Sequence, residues 1–203
     1  DLVFTNEERR VSLNSIRRRG AELKFSNFSF KLIDDFWDYE PLDFFGEFTA
    51  TLRVQDVFAL SGLQFALGAD PLLINTDNWG AFTLKAQAAN LQSPISAFIT
   101  IGDPQQQQQL TVEGSYNPPS VPSAEYRPNY FDFDVTINNY PLRYAEYFIG
   151  ELISDTEGQF DSELRFHGPP DQPNIEGQVQ VSDAALTVNY LQTRYTIDPH
   201  KVQ

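Results

Sequence analysis

The chain has 203 residues, of which 41% are hydrophobic and 14% aromatic, and its formal net charge is −14. This composition is too apolar for a disordered segment, and the negative charge argues against nucleic acid as a partner. Cysteine is absent, which excludes disulfides and thiolate metal sites, and no apolar run reaches the roughly 18 residues that a membrane-spanning helix needs.

The first 20 residues contain the densest basic cluster, Arg9-Arg10 and Arg17–Arg19. Such a cluster could contact anionic lipid head groups. Because Glu7 and Glu8 partly balance the charge, we favour a solvated hairpin.

Gly20 opens the next predicted strand, in which the apolar residues change parity between Phe25 and Phe28. This change predicts a β-bulge near Ser26-Asn27. The acidic and aromatic segment 34–41 is predicted to be a solvated loop, because its carboxylates lack the spacing of a calcium site.

Three strands share an opening pattern, glycine followed two residues later by phenylalanine, and they start at Gly46, Gly80 and Gly158. Each continues with alternating polar and apolar residues, which is typical of a strand with one wet face. The intervals between the three glycines are unequal. This irregularity favours hairpins of variable length along one sheet over a regular solenoid.

Further strands are predicted between and after these. One alternates through 62–67 and is closed by Asp70-Pro71, and another runs from Ile95 to Ile101. The glutamines at 105–109 are predicted to form an exposed loop. The proline-rich stretch 117–129 is predicted to be an extended loop and a candidate boundary within an otherwise single domain.

A strand follows at 131–137, with Asp132 and Asp134 on its polar face. Two neighbouring acids on a wet face need no bound ion, so we predict no metal site and no cofactor. The apolar spacing in 140–150 is near i, i+3, i+4, which predicts one short helical turn that plugs an end or an edge of the sheet.

The last third of the chain has the clearest alternation. One strand runs through 158–166, and the turn-rich segment 167–173, with three prolines, ends it. Alternation resumes from Ile175 through Tyr190. The apolar parity then changes to Tyr195 and Ile197, which predicts a further hairpin or a bulge.

These C-terminal residues resemble the TamB family, an AsmA-like group of envelope proteins of diderm bacteria. The resemblance extends from Tyr130 to the end and depends on the pattern Gly-Pro-Pro-x-x-Pro-x-Ile-x-Gly-x-Val-x-Val-x-Asp-Ala over 168–184, followed by Thr-x-Tyr-x-Ile-Asp over 193–198. It implies an all-β fold: an elongated, folded-over (U-shaped) antiparallel or mixed sheet with an apolar concave groove and at most one short helix.

The resemblance also implies a function and a location. The groove of such a protein would carry phospholipid acyl chains toward the outer membrane, or assist outer-membrane protein assembly with a BamA-like β-barrel partner. The full-length protein would lie in the periplasm, anchored in the inner membrane. Since the chain starts at Asp1 and contains no methionine, we expect it to be a piece of a longer protein.

Periodicity alone leaves two ways to bury the apolar faces: two sheets closed into a sandwich, or one sheet bent into an open trough. The resemblance favours the trough. The residues predicted to line its groove are Phe48, Leu52, Phe82, Leu84, Phe133, Val135, Phe160, Leu164, Val179, Val181, Leu186 and Val188.

Other function classes receive less support from the sequence. The two histidines, His167 and His200, lie beside turn residues and have no accompanying catalytic motif, so we do not predict an enzyme. A closed sandwich would suit a structural or adhesive protein. A carbohydrate-binding module would need surface aromatic residues such as Trp37, Tyr39 and Trp79.

Overall fold

The computed structural model describes residues 2–34, 42–75, 77–103 and 105–197, and its strands form one open antiparallel sheet of 13 strands. The strands are β1 Leu2–Asn6, β2 Arg9–Ile16, β3 Gly20–Ser29, β4 Phe44–Phe45, β5 Glu47–Asp56, β6 Ser61–Ile74, β7 Asp77–Asn90, β8 Ile95–Asp103, β9 Gln108–Asn117, β10 Tyr130–Pro141, β11 Ile153–Gly168, β12 Asn174–Val188 and β13 Thr193–Ile197. They follow chain order across the sheet, except that β4 pairs with the far end of β6, beside β5. The predicted all-β fold is confirmed.

Helical structure among the described residues is limited to short turns. A one-turn helix, α1, covers Lys31–Asp34, and it was not predicted. A 3₁₀ turn at Leu142–Ala145 continues into α2, Glu146–Ile149, and we call these eight residues the helical cap. The cap lies where a helical turn was predicted. In the part of the chain that the structure describes, no helix has the length and apolar character required to cross a membrane.

The strand register places residues of one parity on the same face. Directly paired residues form a central row across eleven strands: Phe4, Val11, Phe25, Ala50, Leu67, Leu84, Ile99, Val112, Val135, Leu164 and Gly177. Side chains of neighbouring residues point to the opposite face, where Thr83, Thr100, Thr111 and Thr136 are paired in the same way. The sheet therefore has an apolar face and a polar face.

Irregularities in the register explain the changes of parity in the sequence. The predicted bulge near Ser26-Asn27 is present, since the β3–β5 register shifts between Phe25 and Phe28 and Asn27 has a φ of 59°. The predicted parity change near the C-terminus is a hairpin between β12 and β13, in which Gln192 has a φ of 48°.

One predicted boundary is wrong. Asp70-Pro71 does not close a strand, because β6 continues through this pair to Ile74 with register shifts between Ala69 and Leu73. Proline cannot donate a hydrogen bond to the ladder, but an irregularity in the register leaves room for it. The glutamine segment is also shorter as a loop than predicted, since β9 begins at Gln108.

The candidate boundary at 117–129 lies in the loop between β9 and β10. These two strands are paired from Asn117 and Tyr130 to Gln109 and Asn138. The hydrogen-bonded sheet thus continues across the loop without interruption.

At one end the sheet curls toward its apolar face. The ring of Phe30, just after β3, lies 6.4 Å from that of Phe82 on β7, and the ring of Trp79 on β7 lies 6.0 Å from that of Tyr140 on β10. Each pair spans three strand spacings, about 14 Å in a flat sheet. Side chains that stand perpendicular to a flat sheet would not meet at these distances, so the apolar face is concave at this end.

Candidate functional site

The candidate site is the apolar face, which two further rows complete. An outer row, away from the helical cap, consists of Leu2, Leu13, Leu23, Leu52, Phe65, Ala86, Ala97, Gly114, Phe133, Phe166 and Ile175. A cap-side row consists of Phe28, Phe48, Ala69, Phe82, Ile101, Leu110, Ile137, Ser162 and Val179. Ser162 is the one polar side chain in the three rows.

Ten of the twelve predicted lining residues belong to this face. Eight lie in the three rows: Phe48, Leu52, Phe82, Leu84, Phe133, Val135, Leu164 and Val179. Phe160 and Val181 are paired with each other, in unbroken register with the row residues of β11 and β12. The structure therefore brings these ten side chains onto one continuous surface.

The other two, Leu186 and Val188, are separated from the rows by register shifts between β11 and β12. They pair with Tyr195 and Thr193 of β13 at the far end of β12. The irregular segment includes Asp183, whose φ is 48°. Counting residues with a period of two therefore does not predict the face of residues beyond it.

Burial changes across the apolar face. Near its cap-side centre, Ala50, Leu67 and Ala69 are at most 8% exposed. At the edges of the sheet the face opens to solvent, with Phe4 66% exposed and Ile175 61% exposed. Apolar side chains at the periphery are thus accessible to a ligand.

Among the described residues, no second sheet covers this face. Each strand makes its main contacts with the strands beside it in the single sheet. The alternative of a closed β-sandwich, which the sequence did not exclude, is therefore wrong. A sandwich would have interleaved side chains from two layers, whereas here one layer carries all the rows.

Several residues of the face were missed in the predicted lining, among them Phe25, Phe65, Leu67, Ile99 and Val112. Their alternation with polar neighbours was the signal, since each lies in a strand whose parity is visible in the sequence. The alignment of the strands could not be obtained in this way, because the pattern within one strand does not contain the register of its pairing.

The outer row has a low stretch at its middle. Ala86, Ala97 and Gly114 follow one another on β7, β8 and β9, and phenylalanines flank them at Phe65 and Phe133. Small side chains lower the surface between the two rings. This stretch gives the face local relief that could receive part of an apolar ligand.

The helical cap holds the curled end through tyrosines. The hydroxyl of Tyr144 donates to the carbonyl oxygen of Asn78 at 3.0 Å, and that of Tyr147 donates to Asp77 Oδ2 at 2.5 Å. Tyr140 is 1% exposed, and its burial raises the pKa of the phenol above the ordinary value. The cap closes one end of the apolar face.

Trp79 belongs to this closed end and is 5% exposed, so it cannot serve as the surface platform of a carbohydrate-binding module. That part of the prediction is wrong, because the tryptophan packs against Tyr140 and Tyr144 on the buried side. Trp37 and Tyr39 lie outside the described residues.

The polar face of the sheet carries ion pairs. Arg165 donates to both carboxylate oxygens of Asp132, at 2.8 and 2.7 Å. These hydrogen bonds hold the pKa of the Asp132 carboxyl below its ordinary value. Among the described residues no group of three histidines or acids is arranged to hold a metal ion.

His167 lies at the end of β11, where its Nδ1 is 3.1 Å from the Tyr130 hydroxyl and its Nε2 is 3.4 Å from Glu176 Oε1. These contacts join β10, β11 and β12 at the outer end of the sheet and suit a structural role. His200 lies outside the described residues.

Comparisons of the chain with protein-family models, with curated proteins and with solved structures give no match.

Proposed function

We propose that the apolar face binds the acyl chains of phospholipids, and that the chain is a segment of a TamB-like bridge that carries them toward the outer membrane. The observation behind this proposal is the alignment of apolar rows across nine to eleven strands of one open sheet. A sheet that served only as a scaffold would need a second layer over these side chains.

The energetics favour an acyl ligand. Keeping a sixteen-carbon chain in water costs about 0.8 kcal/mol per methylene group, or roughly 12 kcal/mol in all. Contact with aliphatic and aromatic side chains removes most of this cost. Because dispersion forces are not directional, a chain can exchange equivalent contacts along a row without a single strong binding point.

The dimensions are also suitable. Eleven strands at about 4.8 Å each give a row of roughly 50 Å, which is longer than one acyl tail and comparable to a bilayer with its head groups. A row can therefore hold a lipid at several successive positions. The helical cap closes one side of this path and leaves the outer side open.

The wider context of the proposal comes from the resemblance. It comprises a periplasmic location, an inner-membrane anchor elsewhere in the full-length protein, and a BamA-like β-barrel that the bridge serves during outer-membrane protein assembly. The lipid-binding face is the part of the proposal that the purified chain can test directly.

The test uses photo-crosslinking from two neighbouring positions. A benzophenone amino acid at Ile99 lies in the central row, and the same group at the adjacent Thr100 lies on the opposite face of β8. After incubation with phosphatidylethanolamine vesicles, we expect lipid adducts from position 99 and few from position 100. Native mass spectrometry should also show phospholipid bound to the unmodified chain.

Equal crosslinking from both positions would contradict the proposal, because it would indicate non-specific contact with vesicles. A folded chain without adducts at position 99 and without bound phospholipid would also contradict it. Circular dichroism of both labelled proteins controls for loss of the sheet.

A further inference from the structure

A cavity with a volume of about 760 Å³ lies on the polar face. Two aligned sets of polar-face residues line it: Thr51, Ala66, Lys85, Phe98 and Glu113, and beside them Arg53, Gln64, Gln87 and Ser96. The backbone of Phe65, Ala86, Ala97 and Gly114 forms its floor, since their side chains belong to the outer row on the other face. The sheet is therefore hollow on its polar side at β5–β9.

Phe98 is the unexpected member of this surface. It is 36% exposed, it is the one aromatic side chain among the polar-face residues that line the cavity, and its ring contributes nothing to the buried cluster of the apolar face. Lys85 and Glu113 are its direct cross-strand neighbours. An exposed aromatic ring framed by polar groups is typical of a binding surface.

The charges around the ring balance. Arg53 is paired with Glu22, and Lys85 and Glu113 carry opposite charges on either side of Phe98. An anionic or cationic ligand would therefore gain little from the cavity as a whole. The balance favours a ligand without net charge.

The remaining side chains offer hydrogen bonds of both kinds. The amides of Gln64 and Gln87 and the hydroxyls of Thr51 and Ser96 can each donate and accept. A ligand that matches them carries many hydroxyl groups. The ring of Phe98 adds an apolar platform, against which the C–H face of a pyranose can pack.

We propose that this cavity is a binding site for a neutral oligosaccharide, with Phe98 as the stacking platform and Gln64 and Gln87 as hydrogen-bonding residues. The site lies on the opposite face from the proposed lipid-binding face, so neither proposal depends on the other. It also differs in position from the tryptophan and tyrosine platforms considered from the sequence. The volume is in the range of cavities that hold small ligands.

Calorimetric titration of the chain with cellotetraose, maltotetraose and chitotetraose tests the proposal. We expect saturable binding of at least one of them, weakened by about tenfold in Phe98→Ala. Phe58→Ala removes another exposed aromatic ring, 79% exposed in the turn after β5, and should leave the affinity unchanged. Gln87→Ala, at an exposed position of β7, should also weaken binding and serves if Phe98→Ala does not fold.

Absence of binding for all three saccharides would overturn the proposal. Unchanged affinity in both folded cavity variants would do so as well, because the saccharide would then bind elsewhere. A response only to phosphatidylglycerol vesicles that Phe98→Ala weakens would assign the cavity to anionic head groups and would equally exclude the saccharide site.

Discussion

The indole of Trp79 stacks on the ring of Tyr144, with centroids 4.5 Å apart and an interplanar angle of 21°. Trp79 lies near the start of β7, and Tyr144 lies in the helical cap that follows β10. The contact thus spans the ends of β8 and β9. It is the tightest of the aromatic contacts that hold the sheet in its curled form at this end.

The first prediction concerns this contact. Tyr144→Ala should lower the free energy of unfolding by about 3–5 kcal/mol, because Tyr144 is 4% exposed and its loss leaves a cavity beside Trp79. Tyr190→Ala is the matched control. Since Tyr190 is 93% exposed, its loss should change stability by less than about 0.5 kcal/mol. Urea denaturation measures both, and equal effects would show that the cap does not stabilise the sheet.

The second prediction concerns Gly80, near the start of β7. Gly80 has a φ of 87°, and an added Cβ would lie 2.1 Å from the carbonyl oxygen of Gly102. Gly80→Ala should therefore destabilise the chain by about 1–3 kcal/mol or more. At Gly68 the nearest atom to an added Cβ is 3.7 Å away, so Gly68→Ala should be tolerated. Thermal unfolding compares the two, and a stable Gly80→Ala variant would contradict the geometry.

The third prediction concerns the pH dependence of the Asp132–Arg165 pair. The hydrogen bonds from Arg165 lower the pKa of the Asp132 carboxyl in the folded chain. The stabilisation is therefore complete above the unfolded-state pKa of about 3.9 and is lost as the pH falls through the lower folded-state pKa. Because both side chains are largely solvated, we expect a small effect.

Arg165→Gln should accordingly be less stable than the unaltered chain at neutral pH, and the difference should shrink as the pH falls below about 4. Arg18→Gln removes the same charge from an exposed turn and serves as the control. Chemical denaturation over a series of pH values gives the comparison. A difference that grows on acidification would have the wrong sign for this pair.

The fourth prediction concerns lipid binding at the edge of the sheet. Val179 lies in the cap-side row on β12 and is 58% exposed, so the fold should tolerate Val179→Asp. The carboxylate would face the acyl chain, and we expect phospholipid to bind about tenfold less tightly, since burying a charge against hydrocarbon is costly. Native mass spectrometry with phosphatidylethanolamine measures the change.

Two controls separate charge from position. Val179→Leu keeps the position apolar and should retain binding. Thr5→Asp adds the same charge to the polar side of β1, opposite Arg10, and should also bind lipid normally. If all three variants bound equally well, the part of the apolar face on β12 would not contact the lipid.

Some features that the sequence suggested acquire a physical meaning in the structure. The glycines of the repeated Gly-x-Phe pattern, Gly46, Gly80 and Gly158, all have positive φ values, of 108°, 87° and 93°. At each one an added Cβ would approach a backbone carbonyl oxygen of the adjacent strand or segment. The repeat therefore marks places where the backbone turns sharply beside a neighbour, which is a conformation that favours glycine.

Other features of the structure could not be predicted from the sequence. Register shifts between β11 and β12 precede Leu186, and Trp79 is buried against the helical cap, which is more than 60 residues away in the sequence. The polar-face cavity likewise requires the two sets of side chains on β5–β9 to be aligned. Each of these depends on contacts between residues that are distant in the sequence.

The apolar side of a strand can be predicted from the sequence wherever alternation is unbroken, because side chains alternate with a period of two between irregularities such as the bulge after Phe25. The turn-rich segment 167–173 likewise marks the end of β11, whereas the proline of Asp70-Pro71 lies within β6 and ends no strand. The three-dimensional fold alone shows that the strands form one open layer, that their apolar residues align into rows, and that the cap holds one end in its curled form. The reason is that strand register and sheet closure depend on long-range pairing and packing, for which alternation within a strand provides no signal.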